Sequence, residues 1–427
     1  VALVFVGLAA PHSADARNLR RTLGEPTESQ QGQFLNAALA QVGKQISIQV
    51  ANQIPTLSTS AGYTYEFNPK LDVYERSAKT FGPLFSERAV TVGKGRFNAN
   101  VSYTYMKFAR YDGHDLHDLT GRVEKGIFGN GDVFAGFTRP DLAARFGRPA
   151  NEIFSQVNVD LDLEAQLVDL SLTYGLLDDL DVNIDVPVLR TFARSRVVES
   201  TLDPRFTDAF GLSGAALERD TFGPKSESAI GLGDVRLRAK YLAWADIVRL
   251  AGLLDLVLPT GSPGNFQGTG DTRLGTYAIV SQSIGDVLEP HAQAGVEFNV
   301  DDVDRSQAKY LAGFTVQPVS FAAFTIDFIG RSEFAAQGRV ANTARLPAVR
   351  DEGGEKVFTE NPLNPSSPFT GRPFLVGIDR NDVLDLAVGG KVAVHQDTIV
   401  FATATLPLNQ DGLRADVVPT VGFEMTF

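Results

Sequence analysis

The last fourteen residues, 414–427, alternate. Val417, Pro419, Val421, Phe423, Met425 and Phe427 occupy every second position, with Asp416, Thr420, Gly422, Glu424 and Thr426 between them and Val418 as the one apolar exception. A period of two sends one set to each face of a β-strand. A strand that is apolar on one face and ends on Phe suits the closing strand of an outer-membrane β-barrel. Such a strand pairs with the first and sets its last ring in the interfacial aromatic girdle. The constraint is strong because lipid tolerates no open sheet edge: every backbone N–H and C=O must find a partner inside the protein.

A barrel of this kind hides in an average. The 427 residues are 43% hydrophobic, with a mean hydropathy of −0.05. No run approaches the ~20 apolar residues of a membrane helix, but lipid-facing and lumen-facing residues cancel along each barrel strand. Length alone fits two or three soluble domains; one large barrel with long loops fits as well. The net charge of −12 argues against a nucleic-acid partner. The absence of cysteine excludes disulfides and thiolate metal sites.

Three segments are expected. Residues 1–16 read as a signal peptide, truncated at its start: an apolar run through Ala10, then Ala14-Asp15-Ala16 as an A-x-A cleavage site. Residues 17–55 read as a helical plug. Within 28–54, Phe34, Leu35, Ala38, Leu39 and Val42 form an apolar stripe that Pro55 terminates, and with no sheet partner it should enter or cap the periplasmic mouth. Residues 56–427 read as a transmembrane antiparallel up-and-down β-barrel, all-β, of 12–14 strands. The clear strands begin at Arg96, and a hairpin over 56–92 would raise twelve to fourteen. In the strand over 153–174 the alternation slips near Leu167-Val168, which predicts a bulge.

The connections alternate in length. Those near 177–179, 243–248, 284–287, 317–318 and 395–397 are short; several of the others, near 111–152, 198–228, 259–271 and 332–381, are long. Short turns on one side and long loops on the other match the periplasmic and exterior ends of a barrel in the bacterial outer membrane.

Gly231-Leu232-Gly233-Asp234, Leu258-Pro259-Thr260-Gly261 and Gly268-Thr269-Gly270 resemble motifs of the outer-membrane family associated with the meta-pathway of phenol degradation, over roughly 153–427. The resemblance implies a β-barrel channel for small organic compounds, aromatic ones included. More loosely, a helical segment ahead of a barrel is similar to the long-chain fatty-acid transporter class, in which the N-terminus plugs the lumen.

Charged rows fix faces. Asp160, Asp162 and Glu164 share one face of a strand, Asp181 and Asp185 another, and Arg236, Arg238 and Lys240 a third. An Arg or Lys on the lipid face would cost ~2–4 kcal/mol near the midplane, so these rows are expected to line the lumen together with Gln293, Glu297 and Asp327. There they act as a salt-bridged network, as a transverse field for solutes, or as both. Val235, Leu237, Val296, Phe298, Phe324, Ile326 and Phe328 are expected to face lipid. Tyr174, Tyr241, Trp244 and Phe427 read as membrane anchors. Asp112, His114, Asp115, His117 and Asp118 crowd one loop; a hard cation could bind there, but the spacing matches no metal motif and an exposed acidic loop accounts for it. The Gly-rich stretch 261–270 lacks the Lys of a phosphate loop and reads as an exterior turn.

No G-x-S-x-G motif occurs and no Ser/His/Asp set can be assembled. The expectation is a passive channel or transporter without a cofactor, its partners being membrane lipids, a small permeant and the outer-membrane assembly machinery. The alternative is a structural or surface-interaction barrel whose long loops carry the function; an outer-membrane enzyme ranks third.

Overall fold

The computed structural model describes residue 19 and residues 46–59, 62–68, 73–76, 80–124, 154–201, 218–335, 349–352, 355–358, 369–370 and 380–427. The signal segment and the stripe at 34–42 lie outside the described residues.

Twelve antiparallel strands close a barrel: β1 (Phe97–Tyr111), β2 (Phe154–Gly175), β3 (Leu180–Thr201), β4 (Val235–Ala245), β5 (Arg249–Leu258), β6 (Arg273–Ser281), β7 (Leu288–Asn299), β8 (Gln307–Val319), β9 (Ala322–Glu333), β10 (Asp382–His395), β11 (Thr398–Pro407) and β12 (Val418–Thr426). Each pairs with its neighbours in sequence, and β12 pairs with β1 from Thr420↔Thr104 to Thr426↔Asn98. Phe427 and Phe97 then exchange two backbone hydrogen bonds of 2.9 Å. The C-terminal alternation is therefore the closing strand.

The wall is inverted relative to a soluble protein. Leu237, Phe298, Phe324 and Phe328 are exposed, whereas Glu297 and Asp327 are 1% exposed. Only lipid solvates such an outer surface, and no helix among the described residues is long and apolar enough to cross a membrane. The molecule is an outer-membrane-type β-barrel.

β2 and β3 have 22 residues each, about twice the ~9–11 that cross a bilayer. They rise past the membrane on the long-loop side. There Leu119–Glu124 flanks β2, Glu218–Leu232 flanks β3, and Leu413–Ala415 continues along β1. No bulge interrupts β2: its register with β1 and β3 runs unbroken through Leu167 and Val168.

The count is twelve, not fourteen. The described residues 56–59, 62–64 and 80–92 belong to a segment inside the barrel. Its arms bond each other, Ser58 N to Leu84 O at 2.9 Å, Gly62 N to Phe81 O at 2.8 Å and Tyr65 N to Val92 O at 3.2 Å. Tyr65–Asn68 and Val73–Arg76 form a separate two-stranded sheet. Residues 80–93 are buried throughout. Gly93, at φ +99°, turns the chain from this plug into β1; a Cβ there would lie 2.5 Å from the Tyr65 carbonyl oxygen.

Candidate functional site

The described plug runs the length of the lumen. Helix 46–53 sits at the long-loop end, not the periplasmic mouth that the sequence suggested. Ser47 Oγ donates to Pro263 O at 2.7 Å, and Gln53 Nε2 donates to Leu413 O at 2.9 Å. The sequence shows an amphipathic helix but not which mouth it reaches. Residues 80–92 seal the short-turn end, where Thr91 Oγ1 donates to Asp178 O at 2.7 Å.

At membrane level the plug is held by charge and by small apolar clusters, among them Tyr63 and Phe81 against Ala323 and Ile399 and Ala89 against Leu253, Tyr277 and Ile279. Arg238 stands 3.5 Å from Glu87 of the plug and 3.6 Å from Asp185 of β3, and it donates to Leu57 O at 2.8 Å. Lys240 lies 3.7 Å from both Glu87 and Asp181. Lys391 donates to Phe81 O and Pro83 O at 3.0 Å and faces Glu424 at 3.6 Å. Arg88 of the plug faces Glu289 at 3.6 Å. Arg236 pairs with Asp255, and Glu297 gathers Arg236, Arg273 and Lys309 at 3.6, 3.1 and 2.6 Å. His291 Nε2 lies 2.6 Å from Asp327. Wall side chains also take the plug's backbone N–H groups: Phe81 N on Gln317, Glu87 N on Gln293, Ala89 N on Ser281 and Val92 N on Asp181, at 2.9 to 3.0 Å. Buried backbone and buried charge each need partners, and inward polar side chains on most strands supply them.

Toward the long loops the lumen becomes apolar. Met106 and Phe108 of β1, Leu161, Leu163, Ala165 and Leu167 of β2, and Leu189 and Ala193 of β3 enclose Leu19, Ile46 and Val50 of the plug. All are at most 2% exposed.

One loop roofs this chamber, and the three motifs behind the family resemblance build it. Asp234 Oδ1 accepts Gly261 N at 3.1 Å; Asp234 Oδ2 accepts Thr269 N at 3.0 Å and Thr269 Oγ1 at 3.1 Å. Thr260 Oγ1 donates to Gly233 O at 2.6 Å and accepts Val235 N at 2.9 Å. A Cβ on Gly268 would fall 2.3 Å from Asp234 Oδ1, and one on Gly261 would fall 2.3 Å from Gln267 O. The turn expected at the exterior lies at the long-loop end, and the clasp folds 261–270 inward over the chamber. Phe266, in the left-handed region at φ +57°, is thereby fully buried among the chamber residues. A bulky residue there is unusual and marks a functional or strained position.

Asp181, Asp185, Arg238, Lys240, Glu297 and Asp327 are buried in the lumen, and Arg236 is mostly so. Asp160, Asp162 and Glu164 are not lumen-lining. They lie on the outward face of β2 above the membrane, between the inward Leu161, Leu163 and Ala165. His117 is held between Asp160 at 2.8 Å and Asp162 at 3.5 Å, and Glu164 faces Lys107 at 3.8 Å. Their outward side meets water, so charge there costs little.

Of the loop residues Asp112, His114, Asp115, His117 and Asp118, two accept backbone hydrogen bonds. Asp112 accepts Gly412 N at 2.6 Å and Asp115 accepts His117 N at 2.9 Å. Among the described residues no three His, Cys, Asp or Glu side chains gather as a metal-binding group. At the short-turn end Tyr241, Trp244 and Phe427 are exposed, and Phe97 contacts both Tyr174 and Phe427, at centroid distances of 4.6 and 5.7 Å.

Residues 169–335 match the family model described as "Putative MetA-pathway of phenol degradation"; this segment contains all three motifs. No curated protein matches the sequence. Among solved structures, an outer membrane channel from Pseudomonas putida F1 aligns at 12% identity and TM-score 0.42, over 79% of this chain and 98% of that one. The toluene transporter TbuX of Ralstonia pickettii aligns at 12% identity and TM-score 0.29, over 78% and 90%. A FadL homologue of Pseudomonas aeruginosa aligns at 11% identity and TM-score 0.29, over 78% and 89%. Each is a likeness of barrel architecture.

Proposed function

We propose that the protein is an outer-membrane channel that admits small apolar molecules, aromatic ones included, from the exterior. The observation that carries this is the apolar chamber behind the long loops. It is closed by helix 46–53, Leu19 and Phe266, anchored by hydrogen bonds at the rim, while the side chains that fill the chamber make contacts that an apolar guest can replace. Burial of apolar surface is worth ~25 cal/mol per Å² whichever molecule supplies it. A guest filling the chamber therefore competes with Ile46, Val50 and Phe266 on equal terms. The matched family description and the toluene transporter's name agree with this substrate class. Export through the expected leader, and recognition of Phe427 by the assembly machinery, belong to the same reading.

A second reading is a barrel held shut as a structural or surface element. The ion-paired, buried plug at membrane level favours it.

Uptake of a radiolabelled monoaromatic compound by cells displaying the protein separates the two. The channel reading expects uptake above that of cells without the barrel, and a further rise on Phe266→Ala. If uptake never exceeds the barrel-free level in either form, the channel reading fails.

A further inference from the structure

Among the described residues, most ion-pair networks of the membrane-level lumen match base to acid, and one is clearly short of cations. Arg236, Arg273 and Lys309 meet Asp255, Glu297 and Asp234, three bases against three acids. Arg88 meets Glu289, and Lys391 meets Glu424. Arg238 and Lys240, however, are shared by Glu87, Asp181 and Asp185. Asp169 lies next to this set with no cationic side chain within ion-pair distance, so four carboxylates stand against two cations. Uncompensated buried charge of that size is not tolerated in a folded protein.

The surplus is localised. Asp169 is 1% exposed, and neither of its carboxylate oxygens has a hydrogen-bond partner; Asp185 Oδ1 also has none. On the neighbouring strand Asn100, 2% exposed, leaves both its amide oxygen and its amide nitrogen unpartnered. The register brings these groups together on the inward face. Ser102 is opposite Asp169, Asn100 is opposite Ser171, and Ser171 is opposite Asp185. Asp169 thus lies diagonally between Asn100 and Asp185, within side-chain reach of both. Among the described residues, Glu424 is the other buried lumen carboxylate whose two oxygens lack hydrogen-bond partners, but it has Lys391 at 3.6 Å, whereas Asp169 has no such cation. Buried polar groups without partners call for an explanation, an ion among them.

We propose that a hard divalent cation of the calcium class binds the lumen wall here, on the carboxylates of Asp169 and Asp185 and the amide oxygen of Asn100, with the Ser102 hydroxyl beside them. All the donors are oxygen, the preference of calcium and magnesium and not of zinc or copper. Two positive charges offset the surplus. Neutralising Asp185 also leaves Arg238 to Glu87, so the bound ion tightens the plug on the wall.

The test uses the full-length protein in detergent, stripped with a chelator and dialysed against radioactive calcium. One calcium ion per chain should bind. Asp169→Asn should lose it, and Asp162→Asn, on the outer face, should keep it. Thermal unfolding gives an independent readout. Calcium should raise the midpoint of the wild type and leave that of Asp169→Asn unchanged; in chelator, Asp169→Asn should be the more stable of the two, having shed an unpaired charge. Calcium binding that persists in Asp169→Asn would overturn the proposal. So would a wild type that ignores calcium and magnesium and is stabilised by acid alone, since the carboxylates would then share a proton instead.

Discussion

The two halves of the lumen are built from the same strands by opposite rules. At membrane level β2 turns Asp169, Ser171 and Thr173 inward and Val168, Leu170 and Leu172 outward. Above it the same inward row continues as Leu161, Leu163, Ala165 and Leu167, and the outward row becomes Asp160, Asp162, Glu164 and Gln166. β1 changes with it, from Asn98, Asn100, Ser102 and Thr104 to Met106 and Phe108. The solvent outside decides. Where lipid surrounds the wall, the outer face must be apolar and polar groups collect inside; where water surrounds it, the wall obeys the ordinary rule and encloses an apolar core. The plug is therefore held below by buried charge together with apolar contacts, such as Leu84 and Phe85 with Ala387 and Phe401, and above mainly by apolar packing; the charged grip and the upper apolar grip should fail under different perturbations.

The largest effect is expected at Arg238. Arg238→Met leaves Glu87 and Asp185 buried without their shared partner, a loss of about 3–5 kcal/mol. Residues 56–59 and 80–92 should loosen while the apolar chamber stays packed. Conductance in planar bilayers should rise, and hydrogen exchange should speed up at 80–92 but not along 161–167. Equal acceleration in both halves would mean that the grips are not separate.

A smaller effect is expected at the clasp. Asp234→Asn keeps the shape of the side chain but weakens its bonds to Gly261 and Thr269, about 1–3 kcal/mol within the loop, and also ends its ion pair with Arg273. Phe266 should leave the chamber more often. A cysteine at 266 in that background should react faster with a water-soluble thiol reagent than in the wild-type background, and the native chain contributes no thiol. Unchanged reactivity would show that the chamber alone holds the loop.

The boundary between the halves can be mapped with the same chemistry. On the outer face, cysteine at Glu164 should label from water and cysteine at Val168 should be shielded by lipid, although the two sit on one face four residues apart. Labelling at both would place the membrane edge lower than the inversion does.

Much of this was legible in the sequence. Alternation and loop lengths revealed the barrel, its closing strand and the inward placement of Asp181, Asp185, Arg238 and Glu297. What alternation cannot show is which solvent a face meets. Leu167-Val168 reads as a slipped register because apolar residues change parity there, yet the backbone runs straight and the surroundings change instead. The same ambiguity placed Asp160, Asp162 and Glu164 in the lumen and 56–92 in the wall, since an extended plug and a strand share a period of two. The clasp left a fainter signal. Its three glycine-rich motifs are far apart along the chain, and only the fold brings Asp234 to Gly261 and Thr269.

The smallest effect lies on the outer surface, at His117. The hydrogen bond to Asp160 raises its pKa above the usual histidine range, and the charges of Asp162 and Asp115 add to this. A raised pKa fixes the sign. The protonated ring's grip on β2 is fully present below the unfolded value of ~6.5 and is lost as pH rises through the higher folded value. The ring and Asp160 are each about half exposed (53% and 49%), so water and salt screen the pair and the effect should be slight. Alkaline pH should therefore raise the exchange of the His117 amide, which donates to Asp115, once the intrinsic rate is corrected for. Added salt should act in the same direction, and neither should alter exchange at 80–92, where the ion pairs are buried. His117→Gln should be as protected at alkaline as at acidic pH. If that variant kept the wild-type pH dependence, the titrating group would be one of the neighbouring acids, and the outer clamp would not be a histidine switch.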